Sequence, residues 1–414
     1  MYCNAERIEE MLQNIATFTV AEDEGFTRFS YTQEDIQAKK YIIKKMKEAN
    51  LKVSMDLLGN IFGRREGTEE NLPPIVAGSH LDTVKNGGKY DGIAGIVAGI
   101  EALRVMEENQ IKTKYPIEVV AFAEEEGGRF NSAFIGSSWF MGKIKEEALE
   151  TICDHQNMSL KEAAESLNVF NEEIKRCKRK DYHIKAMIEL HCEQGPILEN
   201  NQKSLGLVNA IIGSSSYQVT LFGQADHSGT TPMDVRKDAF YAASKIAVEL
   251  NEFTKKQEMY SVGTVGCVEV KPNVYNIVPQ EVSITMDIRS MDQKVLEHII
   301  THMKEYIEKI AIDHHIQYKI KKNHHANPVK LSNKIVDLLI KNTKKRNYNF
   351  DVMGSGAGHD TLIMAEFTDA AMIFIPSKNG RSHCPEEYSD SEHIAKGADV
   401  LLDTIIDLGE KVSS

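Results

Sequence analysis

No uninterrupted apolar run in this 414-residue chain approaches the roughly 20 residues that span a bilayer; the longest candidate, Gly92–Leu103, is short and rich in Gly and Ala. A membrane partner is not expected, and the polar, acidic start from Met1 to Gln13 does not read as a signal peptide. Cysteine is sparse and unpaired: Cys3, Cys153, Cys177, Cys192, Cys267 and Cys384 include no C-x-x-C pair, which excludes a zinc knuckle or a thioredoxin-type motif. Six scattered thiols fit a reducing cytosol better than a disulfide framework, so a cytoplasmic protein is expected. Positive charge is also short, with 49 Lys+Arg against 61 Asp+Glu and a net charge of −12. Phosphate-backbone recognition needs concentrated Lys and Arg. The short run Lys175–Lys180 reads as a solvated helix end, and no nucleic-acid partner is expected. There is no internal repeat and no low-complexity segment.

What is present is the composition of an ordinary globular protein, 42% hydrophobic and 27% charged, long enough for two to three domains. Thr32 followed by Asp35 marks a helix start, with Ile36, Ile43 and Met46 spaced for a buried face. Lys52–Arg64 alternates around a Gly59-Asn60 break and reads as a hairpin. Then apolar runs at Pro74–Gly78, Ile117–Ala123, Ala186–Leu190 and Ala371–Pro376 are separated by helical stretches, Gly92–Glu107 and a polar region from Lys143 to Lys180. Strands alternating with helices imply βαβ units and a mostly parallel sheet. Between them, strands at Ser216–Phe222, Ser261–Val270, Glu281–Ile288 and Ile316–Ile320 and helices at Asp238–Phe253 and Val295–Ile312 follow a β-α-β-β-α-β order, which fits a small α+β unit. The expected fold class is α/β: a discontinuous catalytic domain, residues 1–211 and 327–414, with a mostly parallel central sheet, and an inserted smaller α+β domain at residues 212–326.

Three polar clusters directly follow apolar strands: His80 with Asp82, Glu124–Glu126, and His191. Sites in open α/β sheets form at the carboxyl ends of strands, so these residues should converge on one rim. One polar strand end means little, and a lone buried His is usually a satisfied core residue. Three such ends together with Asp91 and His383 are harder to dismiss. Five ligands of mixed His and carboxylate type suit two divalent cations, and imidazole favours zinc or manganese over magnesium or calcium.

The segments Gly78-Ser79-His80-Leu81-Asp82-Thr83-Val84, Gly87-Gly88-Lys89-Tyr90-Asp91-Gly92, Ala123-Glu124-Glu125-Glu126-Gly127, Glu189-Leu190-His191-Cys192-Glu193-Gln194-Gly195-Pro196 and His227-Ser228-Gly229-Thr230-Thr231-Pro232-Met233 resemble the M20 metallopeptidase superfamily. More narrowly they resemble its amidase branch, which holds N-carbamoyl-L-amino acid hydrolases, allantoate and ureidoglycolate amidohydrolases and β-ureidopropionases. The resemblance covers nearly the whole chain. His191 carries the branch assignment, because the related peptidases usually have an acidic residue at that position. The resemblance implies that His80 and His191 belong to different metals or to different ends of the pair, that Asp91 bridges both, and that Glu126 and His383 complete the shells. It implies that Asp82 orients the His80 ring and that Glu125 is the general base, taking a proton from water and passing it to the leaving nitrogen.

It further implies that Arg289, in Asp287-Ile288-Arg289, clamps a substrate carboxylate, that Asn276 and His227 hold and polarise the scissile carbonyl, and that Gln194 contacts the ureido group. Gly356 and Gly358 would let backbone N–H groups approach substrate, with His359 and Asp360 supporting that loop. The inserted domain would be a lid and the surface of a homodimer, with His227 supplied by the partner chain. The activity so implied is hydrolysis of the carbamoyl or ureido C–N bond of an N-carbamoyl-L-amino acid, or of allantoate, with two divalent ions (Zn²⁺ or Mn²⁺) per subunit. An M20 aminopeptidase, dipeptidase or aminoacylase is the alternative with the same fold, and His191 argues against it. A binding protein with a dead site is the alternative of another class, and intact Glu125 with five intact ligands argues against that.

Overall fold

The computed structural model describes residues 1–20, 25–170, 174–177, 183–258 and 260–412. The chain divides into two compact units. The first is Met1–Asn209, Leu331–Met353 and Ala357–Ser414; the second is Ala210–Lys330 with Gly354–Gly356.

The first unit is built on a mixed sheet. Its strands lie in the order Leu205–Ile211, Asp369–Ile375, Ala186–Cys192, Ile75–His80, Ile117–Phe122, Ile61–Arg65, Lys52–Met55 and Lys175–Arg176. The four strands from Asp369–Ile375 to Ile117–Phe122 are mutually parallel, and Leu205–Ile211 and Ile61–Arg65 flank them antiparallel. Ile75–His80, Ile117–Phe122 and Ala186–Cys192 are buried along their whole length, which is why they read as continuous apolar runs rather than alternating ones. The helix Ile93–Glu108 is likewise buried over nearly all its residues and packs on this sheet. The four parallel strands end together, so the residues at or just after His80, Phe122, Cys192 and Ile375 share one rim.

Helix Gln33–Glu48 begins where expected: the Thr32 hydroxyl accepts the Asp35 N–H at 3.4 Å, and Ile36, Ile43 and Met46 are buried. The hairpin pairs Lys52 with Arg64 and Met55 with Ile61. The expected helical region from Lys143 to Lys180 is instead a series of short pieces, with 3-10 turns at Glu146–Glu150 and Glu165–Phe170 and one helix at Leu160–Ala164. Turn chemistry explains the break. Asp154 accepts the N–H groups of Gln156 and Met158, Asn157 sits at φ 62°, and Ser159 with Glu162 forms a capping box that starts a new helix. Lys175–Arg176 is a strand pairing parallel with Ser54–Met55, not a helix end; residues 178–180 lie outside the described residues. The strands Leu205–Ile211 and Phe350–Ser355 and the helices Ala5–Ala16 and Ser391–Leu408 also belong to the fold, and the sequence reading did not assign them.

The second unit is a four-stranded antiparallel sheet in the order Gln317–Ala326, Gly213–Phe222, Glu281–Ser290, Ser261–Lys271. Burial alternates strictly along Glu281–Ser290, as a strand with one covered face requires. Helices Ala239–Lys255 and Gln293–Asp313 cover that face, burying Ile246, Leu250, Leu296, Ile299 and Met303 with Val219, Leu221, Val282 and Ile284. Element order is β-α-β-β-α-β. Among the described residues, no helix is long and apolar enough to cross a membrane.

Candidate metal centre

Four strand ends deliver the cluster. His80 is the last residue of Ile75–His80, and Glu124–Glu126 follow Ile117–Phe122. His191 is the penultimate residue of the strand Ala186–Cys192, and His383 comes from the loop after Asp369–Ile375. Asp91 lies at their centre, brought there by the turn before helix Ile93–Glu108. His80 Nε2 is 3.2 Å and His191 Nε2 3.0 Å from Asp91 Oδ1, while His383 Nε2 is 3.3 Å from Asp91 Oδ2 and 3.5 Å from Glu126 Oε1. Glu125 Oε2 is 3.8 Å from His80 Nε2. The side chains therefore fall into two donor sets sharing Asp91: His80, Asp91 and His191 on one side, Asp91, Glu126 and His383 on the other. The resemblance implied that His80 and His191 belong to different metals or to different ends of the pair; in the structure both Nε2 atoms face the same Asp91 oxygen.

The tautomers follow from the partners. His80 Nδ1 lies 3.0 Å from the Asp82 carbonyl and His191 Nδ1 2.9 Å from the Cys192 carbonyl. A carbonyl only accepts, so each Nδ1 carries the hydrogen and each Nε2 presents a lone pair. The Gly92 N–H donates to His191 Nε2 at 3.2 Å, which agrees. Each Nε2 thus faces a carboxylate oxygen acceptor to acceptor, an arrangement that needs a proton or a cation between them. Glu126 Oε1 and Gln194 Oε1 are buried without a hydrogen-bond partner, which also suits a bound cation.

Burial shapes the titration. It pushes Glu124 up to about 8 and Glu126 to about 7, and raises Glu125 well above the usual carboxyl range, with His80 pulling the other way. Burial alone would raise Asp91 too, but His191, His383 and His80 hold it well below. Such crowding of acids in a covered rim is the environment that divalent cations neutralise.

Asp82, expected to orient the His80 ring, meets it through the main chain. Its backbone carbonyl, not its carboxylate, meets the His80 ring; the carboxylate is 3.9 Å from Nδ1. Its two oxygens instead accept the N–H groups of Glu125 at 3.0 Å and Glu126 at 3.1 Å, fixing the acidic turn. That turn is held in a demanding conformation, with Glu124 at φ 53°; Gln194 and His383 are also left-handed, at φ 58° and 55°. Gly92 has no alternative: φ is +68° and a Cβ there would lie 2.5 Å from the His80 ring.

Gln194 Nε2 donates to Asp91 Oδ2 at 2.6 Å and sits 3.2 Å from His383 Nε2, so the side chain belongs to the cluster itself. His359 is buried with its ring 4.4 Å from that of His191, and a Cβ on Gly358 would lie 2.7 Å from the Phe134 ring, so there is no room for a side chain at this position. His227, Asn276 and Arg289 lie in the second unit. His227 bridges to Ile277 and the Ser228 N–H donates to the Asn276 carbonyl at 3.0 Å, so His227 and Asn276 adjoin; both are exposed. The Arg289 guanidinium is engaged by Asp287 through Nε at 2.9 Å and Nη2 at 3.1 Å, with Nη1 3.5 Å from the Gly356 carbonyl. Sequence reasoning missed Glu387 and Ser382, which hold the Asp91 turn, and Glu189, whose carboxylate accepts from Ser79 Oγ, Thr361 N and Thr361 Oγ1. No spacing marks them; each is one acid or hydroxyl among many.

A profile of peptidase family M20/M25/M40 matches residues 76–407. Over 398 residues the chain is 39% identical to an N-carbamoyl-L-amino-acid amidohydrolase of Paenarthrobacter aurescens, covering 96% of each chain. Over 401 residues it is 37% identical to an allantoate amidohydrolase of Escherichia coli (strain K12), again covering 96% of each. Among solved structures, an amidase of the hydantoinase/carbamoylase family from Burkholderia multivorans aligns with a TM-score of 0.93 at 31% identity, covering 99% of this chain and 98% of that one.

Proposed function

We propose, from the premise that the chain belongs to peptidase family M20/M25/M40 and is a hydrolase acting on non-peptide C–N bonds, that it cleaves the carbamoyl C–N bond of N-carbamoyl-L-amino acids. The observation that carries the chemistry is the pair of imidazoles whose Nε2 lone pairs meet Asp91 Oδ1 at 3.2 and 3.0 Å, with His383 on the other Asp91 oxygen and Glu126 beside His383. We read His80, Asp91, Glu126, His191 and His383 as ligands of two divalent ions, zinc or manganese. When bound, such ions supply Lewis acidity and an acidified water.

The chain's own residues do the rest. Glu125, buried beside His80, takes a proton on Oε2 from the attacking water and returns it to the leaving nitrogen. Asp82 holds the Glu125 backbone so that this oxygen stays on the cluster. Gln194 orients the ureido end, Arg289 pairs with the substrate carboxylate in place of Asp287, and His227 and Asn276 polarise the carbonyl. Gly358 admits substrate beside the loop. His227 reaches a site from the partner subunit of a homodimer, and residues 212–326 act as the lid. The products are the amino acid, ammonia and CO₂.

Allantoate is the second reading, favoured by the nearly equal identity to its amidohydrolase. Ammonia release from a panel of N-carbamoyl-L-amino acids, allantoate, ureidoglycolate and dipeptides, on protein stripped by chelation and reloaded with Mn²⁺, Co²⁺ or Zn²⁺, tests both. Turnover that survives complete chelation, or hydrolysis of dipeptides alone, overturns the proposal.

A further inference from the structure

We propose that Glu387 positions the bridging carboxylate, clamping together the two loops that carry Asp91 and His383. The inference rests on reading the cluster as a metal centre. Glu387 is only 4% exposed. Its Oε1 accepts two backbone N–H groups, from Tyr90 at 2.9 Å and from Asp91 itself at 3.0 Å. Its Oε2 accepts the Ser382 hydroxyl at 2.5 Å. Ser382 Oγ also lies 3.0 Å from Asp91 Oδ2, and Ser382 immediately precedes His383. A single carboxylate therefore grips the backbone from which the Asp91 side chain springs and, through one hydroxyl, the residue next to His383.

Two further observations agree. The Tyr90 and Tyr388 rings meet edge-on with centroids 5.5 Å apart, joining the same two loops. A Cβ on Gly88 would fall 2.1 Å from Glu387 Oε1, so the Asp91 loop leaves room for this carboxylate and for no side chain of its own. A carboxylate that serves two ions would have to present one oxygen to each. Asp91 can do so only if its backbone cannot pivot, and Glu387 supplies that constraint. Groups that orient metal ligands in this way typically change metal affinity 10–100-fold when removed.

Three full-length variants separate positioning from bulk stability. Glu387→Gln keeps an acceptor for the two N–H groups but turns Oε2 into a donor facing Ser382. Ser382→Ala removes only the hydroxyl that ties Glu387 and Asp91 to the residue before His383. Gly88→Ala displaces the carboxylate without altering its charge. Each is stripped with chelator, titrated with Co²⁺ by visible absorption, and melted with chelator and with saturating Co²⁺. Glu387→Gln and Gly88→Ala are expected to bind Co²⁺ about 10–100-fold more weakly with altered spectra, and Ser382→Ala less severely. For Glu387→Gln and Ser382→Ala, melting in chelator should stay near the wild-type temperature while the rise given by Co²⁺ shrinks; Gly88→Ala is read by its Co²⁺ affinity and spectrum alone. Wild-type Co²⁺ affinity in both Glu387→Gln and Ser382→Ala overturns the inference, as does a loss confined to melting in chelator. A wild-type chain that takes up no Co²⁺ overturns it together with the metal reading. Co²⁺ uptake with the expected pattern but no ammonia release supports the inference and overturns only the substrate assignment.

Discussion

Removing the Asp82 carboxylate should destabilise the first unit and displace Glu125, the proposed general base, while sparing the His80 tautomer. The side chain is 2% exposed and accepts the N–H groups of Glu125 at 3.0 Å and Glu126 at 3.1 Å. Asp82→Ala leaves both donors buried without partners, at about 1–3 kcal/mol each, so roughly 2–6 kcal/mol in total. Asp82→Asn keeps one oxygen for one N–H and turns an NH₂ toward the other, at about half that loss. The single tryptophan, Trp139, lies in the helix Ile135–Phe140, which the acidic turn anchors through bonds from Phe134 N to Glu125 O and Ile135 N to Glu124 O. Urea unfolding of chelated protein followed by Trp139 fluorescence thus reads the relevant unit. The expected order is wild type, then Asp82→Asn, then Asp82→Ala. Because the His80 ring is held by the Asp82 backbone carbonyl, kcat should fall more than Co²⁺ affinity does. An Asp82→Ala protein within about 0.5 kcal/mol of wild type refutes the bonding argument. Co²⁺ affinity falling in step with kcat would show the carboxylate orienting His80 after all.

Glu125→Gln should retain metal and fold and lose about 10²–10⁴ in kcat; near-normal turnover with verified metal content would mean another group moves the proton. Arg289→Ala should weaken transition-state binding of carboxylate substrates by about 2–4 kcal/mol, and an equal loss of kcat/KM on a decarboxylated analogue would assign Arg289 to its contact with Asp287 instead. A purified heterodimer of tagged His227→Ala and Glu125→Gln chains should regain activity at one of its two sites, since each chain supplies what the other lacks; a heterodimer as inactive as its parents refutes the shared site. In metal-free protein, burial lifts Glu124 to about 8 and Glu126 to about 7, against roughly 4.3 unfolded. The fold therefore takes up protons, and stability present at low pH is lost as pH rises toward 8; His359, held neutral by burial, opposes this. The chelated protein should melt lower at pH 8 than at pH 6, and a flat or rising melting temperature contradicts the assigned charges.

The sequence was most legible where one physical rule acts alone. Fully buried parallel strands announce themselves as apolar runs, and polar residues at their carboxyl ends must meet, so His80, the Glu124–Glu126 turn, His191 and the loop of His383 were assignable to one rim. The helix at Gln33 was legible because its cap and its buried face agree. Legibility failed where partners are distant in sequence. Glu387 meets Asp91 across 296 positions and Glu189 meets Thr361 across 172, and neither spacing follows from any local period. It failed also between Lys143 and Lys180, where Asp154 and Ser159 divert the backbone through side-chain bonds that outweigh helix propensity. The role of Asp82 was half legible: its position two residues after His80 was visible, but whether the carbonyl or the carboxylate faces the ring is a matter of backbone direction.

The same geometry explains why the residues that resist sequence reading surround those that do not. Asp91, Asp82, Glu124, Glu125, Asp360 and Glu387 are all buried near one rim, and isolated carboxylates in such a place are strongly disfavoured. The chain tolerates several of them by giving their oxygens backbone partners. Asp82 and Glu387 cap backbone N–H groups, and Glu124 takes the N–H groups of Arg129 and Phe130. Among the described residues, the atoms left buried without a hydrogen-bond partner include Glu126 Oε1 and Gln194 Oε1 at the cluster and both carboxylate oxygens of Asp360, while the Nε2 atoms of His80 and His191 face Asp91 Oδ1. At the cluster, His80 and His191 meet Asp91 on one side and Glu126 and His383 lie with it on the other, so cations held by the two sets that share Asp91 would neutralise the acceptors of both.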